Sequence, residues 1–236
     1  MVSKTANSAG AEHRVAVVAY DGLDGLGFAV ACEVFGNDYA RGDDPPWYRL
    51  LICGNEAVTL TNGLRMLPPH GVAMLQHADT VIVPACSDPD GPPAAVLQAL
   101  RRAHDRGARL VSLCTGAFVL AATGLLDGRR ATTHWADCGD LAARHPSVQV
   151  DPDVLFVDDG DILTSAGSAA AIDLCLHLVR QDRGAEAAAR VARDLVVPPY
   201  RGGGQVQYID TPLPQPGATT CSPAPSTGSR STSPTT

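Results

Sequence analysis

The sequence lacks the features that mark nucleic-acid binding, secretion or membrane insertion. Lys4 is the only lysine among 236 residues, no basic cluster is present, and the formal net charge is −7. An acidic chain of this kind is a poor candidate for binding a phosphate backbone. No run approaches the roughly 18 apolar residues of a membrane-spanning helix, and no apolar segment follows the polar start as in a signal peptide. We therefore expect a cytoplasmic protein that binds no membrane and, as this chain alone, no nucleic acid.

Patterns that hold disulfides, metals or nucleotides are also missing. The odd number of cysteines and the absence of any C-x-x-C argue against a disulfide framework, and no group of His, Cys, Asp and Glu has zinc spacing. Gly25-Leu26-Gly27 is followed by Val30, where a dinucleotide-binding motif needs its third glycine. Residues 202–204 are three glycines without the Lys-Ser/Thr of a P-loop, and we interpret them as a flexible exit. We expect neither a metal nor a cofactor.

Short apolar runs alternate with longer, helix-like segments along most of the chain. Asn62-Gly63 and Asp159-Gly160 are hairpin turn signals between apolar flanks. Nearly continuous apolar strands that alternate with helices predict an α/β fold, a mostly parallel sheet covered on both faces and extended by β-hairpins. The predicted strands are residues 15–20, 47–53, 80–84, 109–113, 154–157 and 162–164, and the predicted helices are residues 28–35, 93–106, 115–126, 168–180 and 185–196.

The two ends of the chain differ in composition from its middle. Of the 26 residues from Thr211 to Thr236, 18 are Pro, Ser or Thr, a composition that cannot bury a core. We predict one domain over residues 13–210, with disordered segments at 1–12 and 211–236.

Cys114 has the most informative position of the seven cysteines. It follows the predicted strand Arg109 to Leu113, and a helix begins at once after it. A residue on such a strand-to-helix turn is exposed above the sheet, and the helix N-terminus stabilises a thiolate. We therefore expect Cys114 to have the lowest thiol pKa of the seven cysteines. His134 is the natural imidazole partner for this thiol, although a lone histidine is more often structural. Asp173 and His177, four residues apart, are interpreted as a buried polar pair.

Five separate motifs resemble one known family. Residues 111–135, with Cys-Thr-Gly at their centre and Thr-Thr-His-Trp at their end, are similar to the central signature of ThiJ/PfpI domains fused to AraC-type regulators. Residues 30–36, 151–160, 164–177 and 196–208 match the same group in order. The resemblance implies a flavodoxin-like three-layer sandwich, usually dimeric and related to class I glutamine amidotransferases.

The resemblance also implies site residues. The family's reactive cysteine falls on Cys114 and its histidine on His134, and the pocket beside them would include Asp24, Gly27, Ala85 and Thr115. Enzymatic relatives such as isonitrile hydratases place a carboxylate where this chain has Gly27, and a glycine where it has Ala85. Both departures favour a domain that senses over one that catalyses.

Three functions remain open at this stage. The first is a ligand- or redox-sensing domain of an AraC-type regulator, responding to a small-molecule effector. In such regulators paired helix-turn-helix motifs follow, whereas here the Pro/Ser/Thr segment follows Asp210. The second is an isonitrile hydratase-like enzyme, or another small-molecule hydrolase or hydratase, with Cys114 as nucleophile. The third is an inert dimerisation module.

Overall fold

A central sheet organises the chain. The computed structural model describes residues 12–40, 45–88 and 92–207, so the predictions made for residues 1–11 and for the Pro/Ser/Thr segment lie outside it. The sheet has six strands in the order β2-β1-β5-β6-β10-β9, all parallel to their neighbours except β9, which runs antiparallel to β10. These strands are β1 (His13–Val18), β2 (Tyr48–Cys53), β5 (Thr80–Val83), β6 (Arg109–Leu113), β9 (Phe156–Asp158) and β10 (Ile162–Ser165).

Two small pairs of strands accompany the sheet. The first pair is the antiparallel hairpin of β3 (Val58–Thr59) and β4 (Arg65–Met66). The second is the parallel pair of β7 (Arg130–Ala131) and β8 (Gln149–Val150). The hairpins predicted around Asn62-Gly63 and Asp159-Gly160 are both confirmed.

Helices cover both faces of the sheet and make a three-layer sandwich. Alternate side chains of each strand point to opposite faces, so Val15 and Val17 pack into one core and Ala16 and Val18 into the other. The first core also includes residues of α1 (Gly25–Gly36), α5 (Ala169–Arg183) and α6 (Ala185–Asp194), and the second includes residues of α2 (Ala94–Asp105), α3 (Gly116–Ala122) and α4 (Cys138–Arg144). Within the described ranges no helix is long and apolar enough to cross a membrane.

Some predicted boundaries were wrong. The helix predicted over residues 115–126 ends at Ala122, and Gly124, with φ +79°, belongs to the turn that follows. The first helix begins three residues earlier than predicted, because the Asp24 side chain caps it by accepting from the Gly27 N–H at 2.8 Å. Helix α4 was missed, because its seven residues are too few for a periodic pattern.

The interpretation of Asp173 and His177 as a pair was also wrong. The Asp173 side chain binds Arg201, while the His177 ring lies 2.8 Å from the Asp158 carboxylate. Both carboxylate–base pairs join α5 to residues distant in sequence. Each side chain therefore finds a tertiary partner instead of its neighbour one turn away.

The three glycines at residues 202–204 are not simply a flexible exit. The Gly203 carbonyl accepts from the Leu155 N–H at 2.7 Å, which attaches this segment beside β9. A Cβ on Gly203 would lie 2.7 Å from the Phe156 carbonyl oxygen and 2.8 Å from its ring. Glycine is needed here for a close approach between two backbones.

Candidate functional site

Cys114 lies on a strained turn at the carboxyl end of β6. Its φ is +54°, in the left-handed region that non-glycine residues rarely adopt. Three hydrogen bonds to its main-chain atoms hold it there: its N–H donates to the Ser165 carbonyl at 2.9 Å, and its carbonyl accepts from the Ala117 N–H at 3.1 Å and from the Thr133 hydroxyl at 2.9 Å. The sequence Leu113-Cys114-Thr115-Gly116 thus forms the strand-to-helix elbow that its position predicted.

A cavity of about 220 Å³ opens at this end of the sheet. The residues that line it come from the segments that follow β1, β5, β6 and β10, together with one residue of the β3–β4 turn. Parallel sheets place binding sites at these strand ends. The lining residues are Asp24, Leu26, Gly27, Thr61, Ala85, Cys86, Ser87, Cys114, Gly167 and Ser168.

The predicted pocket residues divide into two groups. Asp24, Gly27 and Ala85 line the cavity with Cys114, whereas Thr115 does not. The Thr115 hydroxyl is used to join two strand ends, accepting from the Cys86 N–H and donating to the Cys86 carbonyl, both at 3.0 Å. Gly27 leaves a real vacancy in the wall, because the nearest atoms to an added Cβ would be Asp24 Oδ2 at 3.6 Å and Leu113 Cβ at 3.8 Å.

The His134 imidazole makes its polar contacts within its own segment of the chain. Its Nδ1 accepts from the Ala136 N–H at 3.3 Å and lies 3.8 Å from the Asp137 carboxylate, and no hydrogen bond of the described residues joins its ring to the Cys114 sulfur. The backbone N–H of His134 instead acts to lower the pKa of this thiol. His134 therefore influences the site through its main chain, a role that residue type alone cannot reveal.

Burial opposes the acidity expected of Cys114. It raises the pKa of this thiol to about 11, the Asp137 and Asp24 carboxylates act in the same direction, and the N–H groups of Thr115 and His134 act against it. Burial raises the pKa of Cys32 and Cys53 to about 11 as well. Cys114 therefore has no lower a pKa than these two, and its thiol is protonated at neutral pH.

Comparison with known proteins identifies the family. The sequence model of the DJ-1/PfpI family matches residues 13–181. The chain belongs to the DJ-1/PfpI family.

Among DJ-1/PfpI relatives, both regulators and an enzyme are similar to this chain. The transcriptional regulator CdhR of Pseudomonas aeruginosa is 33% identical over 177 residues, which cover 75% of this chain and 52% of the regulator. The chain thus spans about half of that regulator's length. Isonitrile hydratase of Pseudomonas putida is 34% identical over 151 residues, covering 62% of this chain and 65% of the enzyme.

The crystal structure of an AraC family transcriptional regulator from Pseudomonas putida has the same fold. It superposes with a TM-score of 0.66 at 25% identity, over 78% of this chain and 99% of that one. The flavodoxin-like sandwich and the regulator-type DJ-1/PfpI domain expected from the sequence are therefore confirmed.

The DJ-1/PfpI site also includes residues that sequence reasoning missed. Gly167 lies against Cys114: a Cβ on it would lie 2.1 Å from Cys114 Cβ and 2.9 Å from the sulfur. The next residue, Ser168, has φ +48° and is the second strained non-glycine residue at the cavity. The sequence did indicate both residues, because they follow the strand β10, and β10 is the neighbour of β6, which ends immediately before Cys114. No group of three metal-ligating side chains occurs in the described part of the chain.

Proposed function

We propose that this domain senses a small molecule, or the redox state of Cys114, in the manner of the sensing half of an AraC-type regulator. One observation carries the proposal: the cavity contains a strained, partly buried thiol but lacks the side chains that would activate it. Asp24 is the only carboxylate among its described lining residues, and that carboxylate caps α1 by accepting from the Gly27 N–H. The likeness to CdhR supports the same function.

The geometry favours binding over turnover. A hydratase needs a group that moves protons beside its nucleophile, and such assistance is worth about 10²–10⁴ in rate. The His134 ring is engaged with Ala136, and burial keeps the thiol protonated. Gly27 contributes no side chain, so this arrangement holds a ligand without supplying acid–base chemistry.

An isonitrile hydratase-like activity is the second candidate, and the position of Asp24 favours it. Its Oδ2 lies 3.6 Å from where a Cβ on Gly27 would stand, so a carboxylate is present beside the vacant position. In that reading Cys114 is the nucleophile and Asp24 replaces the missing acid. The 34% identity to isonitrile hydratase adds to this candidate.

A thermal-shift screen tests the sensing proposal. The probes are small amino acids, amines and carboxylates, applied to the native chain and to Gly27→Leu, whose new side chain fills the cavity. Gly139→Leu is the matched control, because Gly139 is exposed on α4 and an added Cβ there meets nothing within 4 Å. We expect at least one probe to stabilise the native chain and the control but not Gly27→Leu, and to be recovered unchanged. A probe that stabilises all three chains equally, or that is converted, contradicts sensing at this cavity.

We further propose that the domain is a cytoplasmic homodimer that does not bind duplex DNA by itself. The dimer rests on the family resemblance, and the lack of DNA binding rests on the net charge of −7.

A further inference from the structure

The last described residues are attached to the domain at three points. Arg201 binds Asp173, whose side chain is 6% exposed, through two hydrogen bonds, one of them from Nε to Oδ1 at 2.9 Å. Gly203 accepts from the Leu155 N–H. Gln207 Nε2 donates to the Thr133 carbonyl at 3.0 Å and lies 3.1 Å from the Thr132 hydroxyl. We call residues 201–207 the exit segment.

The last of these attachment points is directly connected to Cys114. Thr132 and Thr133 are fully buried between the exit segment and the thiol. On one side the Thr133 hydroxyl donates to the Cys114 carbonyl at 2.9 Å. On the other side the Thr133 carbonyl accepts from Gln207. A single residue, Thr133, therefore connects the Cys114 backbone to the exit segment.

Gln207 is the weakest of the three attachment points. Its Oε1 is buried, and no described residue donates to it. A buried acceptor without a donor is destabilising, which offsets much of what the Nε2 contacts contribute. Loss of the contact with the Thr133 carbonyl would leave the Gln207 amide with fewer partners inside the protein than in water, which favours release.

The surroundings of Cys114 direct a displacement toward Thr133. Gly167 closes one side, since even a single added carbon there would lie 2.8 Å from Cys114 Cα and 2.9 Å from its sulfur. A group added to the sulfur therefore cannot lie toward Gly167 and extends into the cavity instead. Its bulk acts on the Cys114 turn, which the Thr133 hydroxyl holds, and through Thr133 on the contact with Gln207.

We propose that Gln207 couples the state of Cys114 to the exit segment, so that occupation or modification of the thiol releases residues 201–207. This inference rests on the proposed sensing function and names the route by which a change at Cys114 reaches the exit segment. Coupling of this kind is reciprocal, so release of the exit segment also makes Cys114 more accessible.

Trypsin cleavage of the Arg201–Gly202 bond measures release. The native chain is alkylated with iodoacetamide at about pH 9 until mass spectrometry shows that Cys114 is fully labelled. In this reaction the thiolate sulfur displaces iodide, and the thiol proton passes to the buffer. We expect cleavage after Arg201 to become about 5–150-fold faster, the usual range of a coupling between two sites. Cys114→Ser treated in the same way controls for the other cysteines and should keep its untreated rate.

Variants of the exit segment test whether Gln207 is the coupling residue. Gln207→Glu keeps the size of the side chain but cannot donate to the Thr133 carbonyl, so we expect fast cleavage after Arg201 before alkylation, no further increase after it, and faster alkylation of Cys114. Gly204→Ala is the matched control, because an added Cβ there meets nothing within 4 Å, and it should behave as the native chain.

The coupling is refuted if alkylated native chain is cleaved at its original rate, if Cys114→Ser responds equally, or if Gln207→Glu keeps the native rate and response. These outcomes are distinct from failure of the sensing proposal. A ligand that binds the native cavity without changing cleavage removes only the coupling. A full alkylation response without any ligand of the cavity leaves the coupling and removes small-molecule sensing.

Discussion

Substitution of Gly167 by alanine tests how tightly the wall of the cavity fits Cys114. Gly167 has φ +77°, and alanine in that conformation costs about 1–2 kcal/mol. The new Cβ would also lie 2.1 Å from Cys114 Cβ and 2.8 Å from its Cα. Because Cα belongs to the backbone, neither side can yield cheaply, and overpacking of this kind costs about 1–3 kcal/mol more. We expect Gly167→Ala to lower the free energy of unfolding by about 2–5 kcal/mol in total.

Gly160→Ala is the matched control. Gly160 has φ +85°, in the β9–β10 turn, and an added Cβ there meets nothing within 4 Å. It therefore carries the conformational cost of about 1–2 kcal/mol without the contact. Urea unfolding followed by circular dichroism measures both variants against the native chain. Equal losses in the two variants would refute the close contact between Gly167 and Cys114.

Three further predictions concern the thiol, the assembly and DNA. Alkylation of Cys114 should accelerate roughly tenfold per pH unit from about pH 7 to about pH 10, because the rate follows the thiolate fraction and the pKa is raised to about 11. Asp24→Asn, which keeps the helix cap but removes a charge, should lower that pKa. An alkylation rate that levels off near pH 8 would contradict the burial argument. Light scattering at micromolar concentration should give the mass of two chains, and a mass of one chain would contradict the proposed dimer. No gel shift that survives competitor DNA should appear at physiological salt, since the net charge is −7.

The sequence was most informative where structure is local. The apolar runs at β1, β5 and β6 predict strands because burial on both faces requires such runs. Cys114 was located from its place between a strand and a helix, and its φ of +54° agrees with that turn. The hairpin turns were predicted for a similar reason, since Asn-Gly and Asp-Gly adopt the required conformation without help from distant residues.

Contacts between distant segments were beyond such reasoning. Asp173 meets Arg201 and His177 meets Asp158, and neither partner is marked by periodicity or spacing. The His134 ring points to Ala136 although the residue itself lies beside Cys114, because side-chain direction depends on backbone angles that no motif specifies. Desolvation of the thiol is likewise a property of the packed site, so the expected acidity of Cys114 did not follow from the helix alone.

One assay tests most directly whether the Cys114 cavity senses or catalyses. A simple alkyl isonitrile is incubated with native chain, Cys114→Ala and Gly27→Glu, and formation of the N-substituted formamide is followed by NMR. We predict that the native chain forms no more product than Cys114→Ala, because neither the Asp24 carboxylate, which caps α1, nor the His134 ring is placed to move a proton at the thiol. Product formed by the native chain and lost in Cys114→Ala would contradict the sensing account and establish the enzyme.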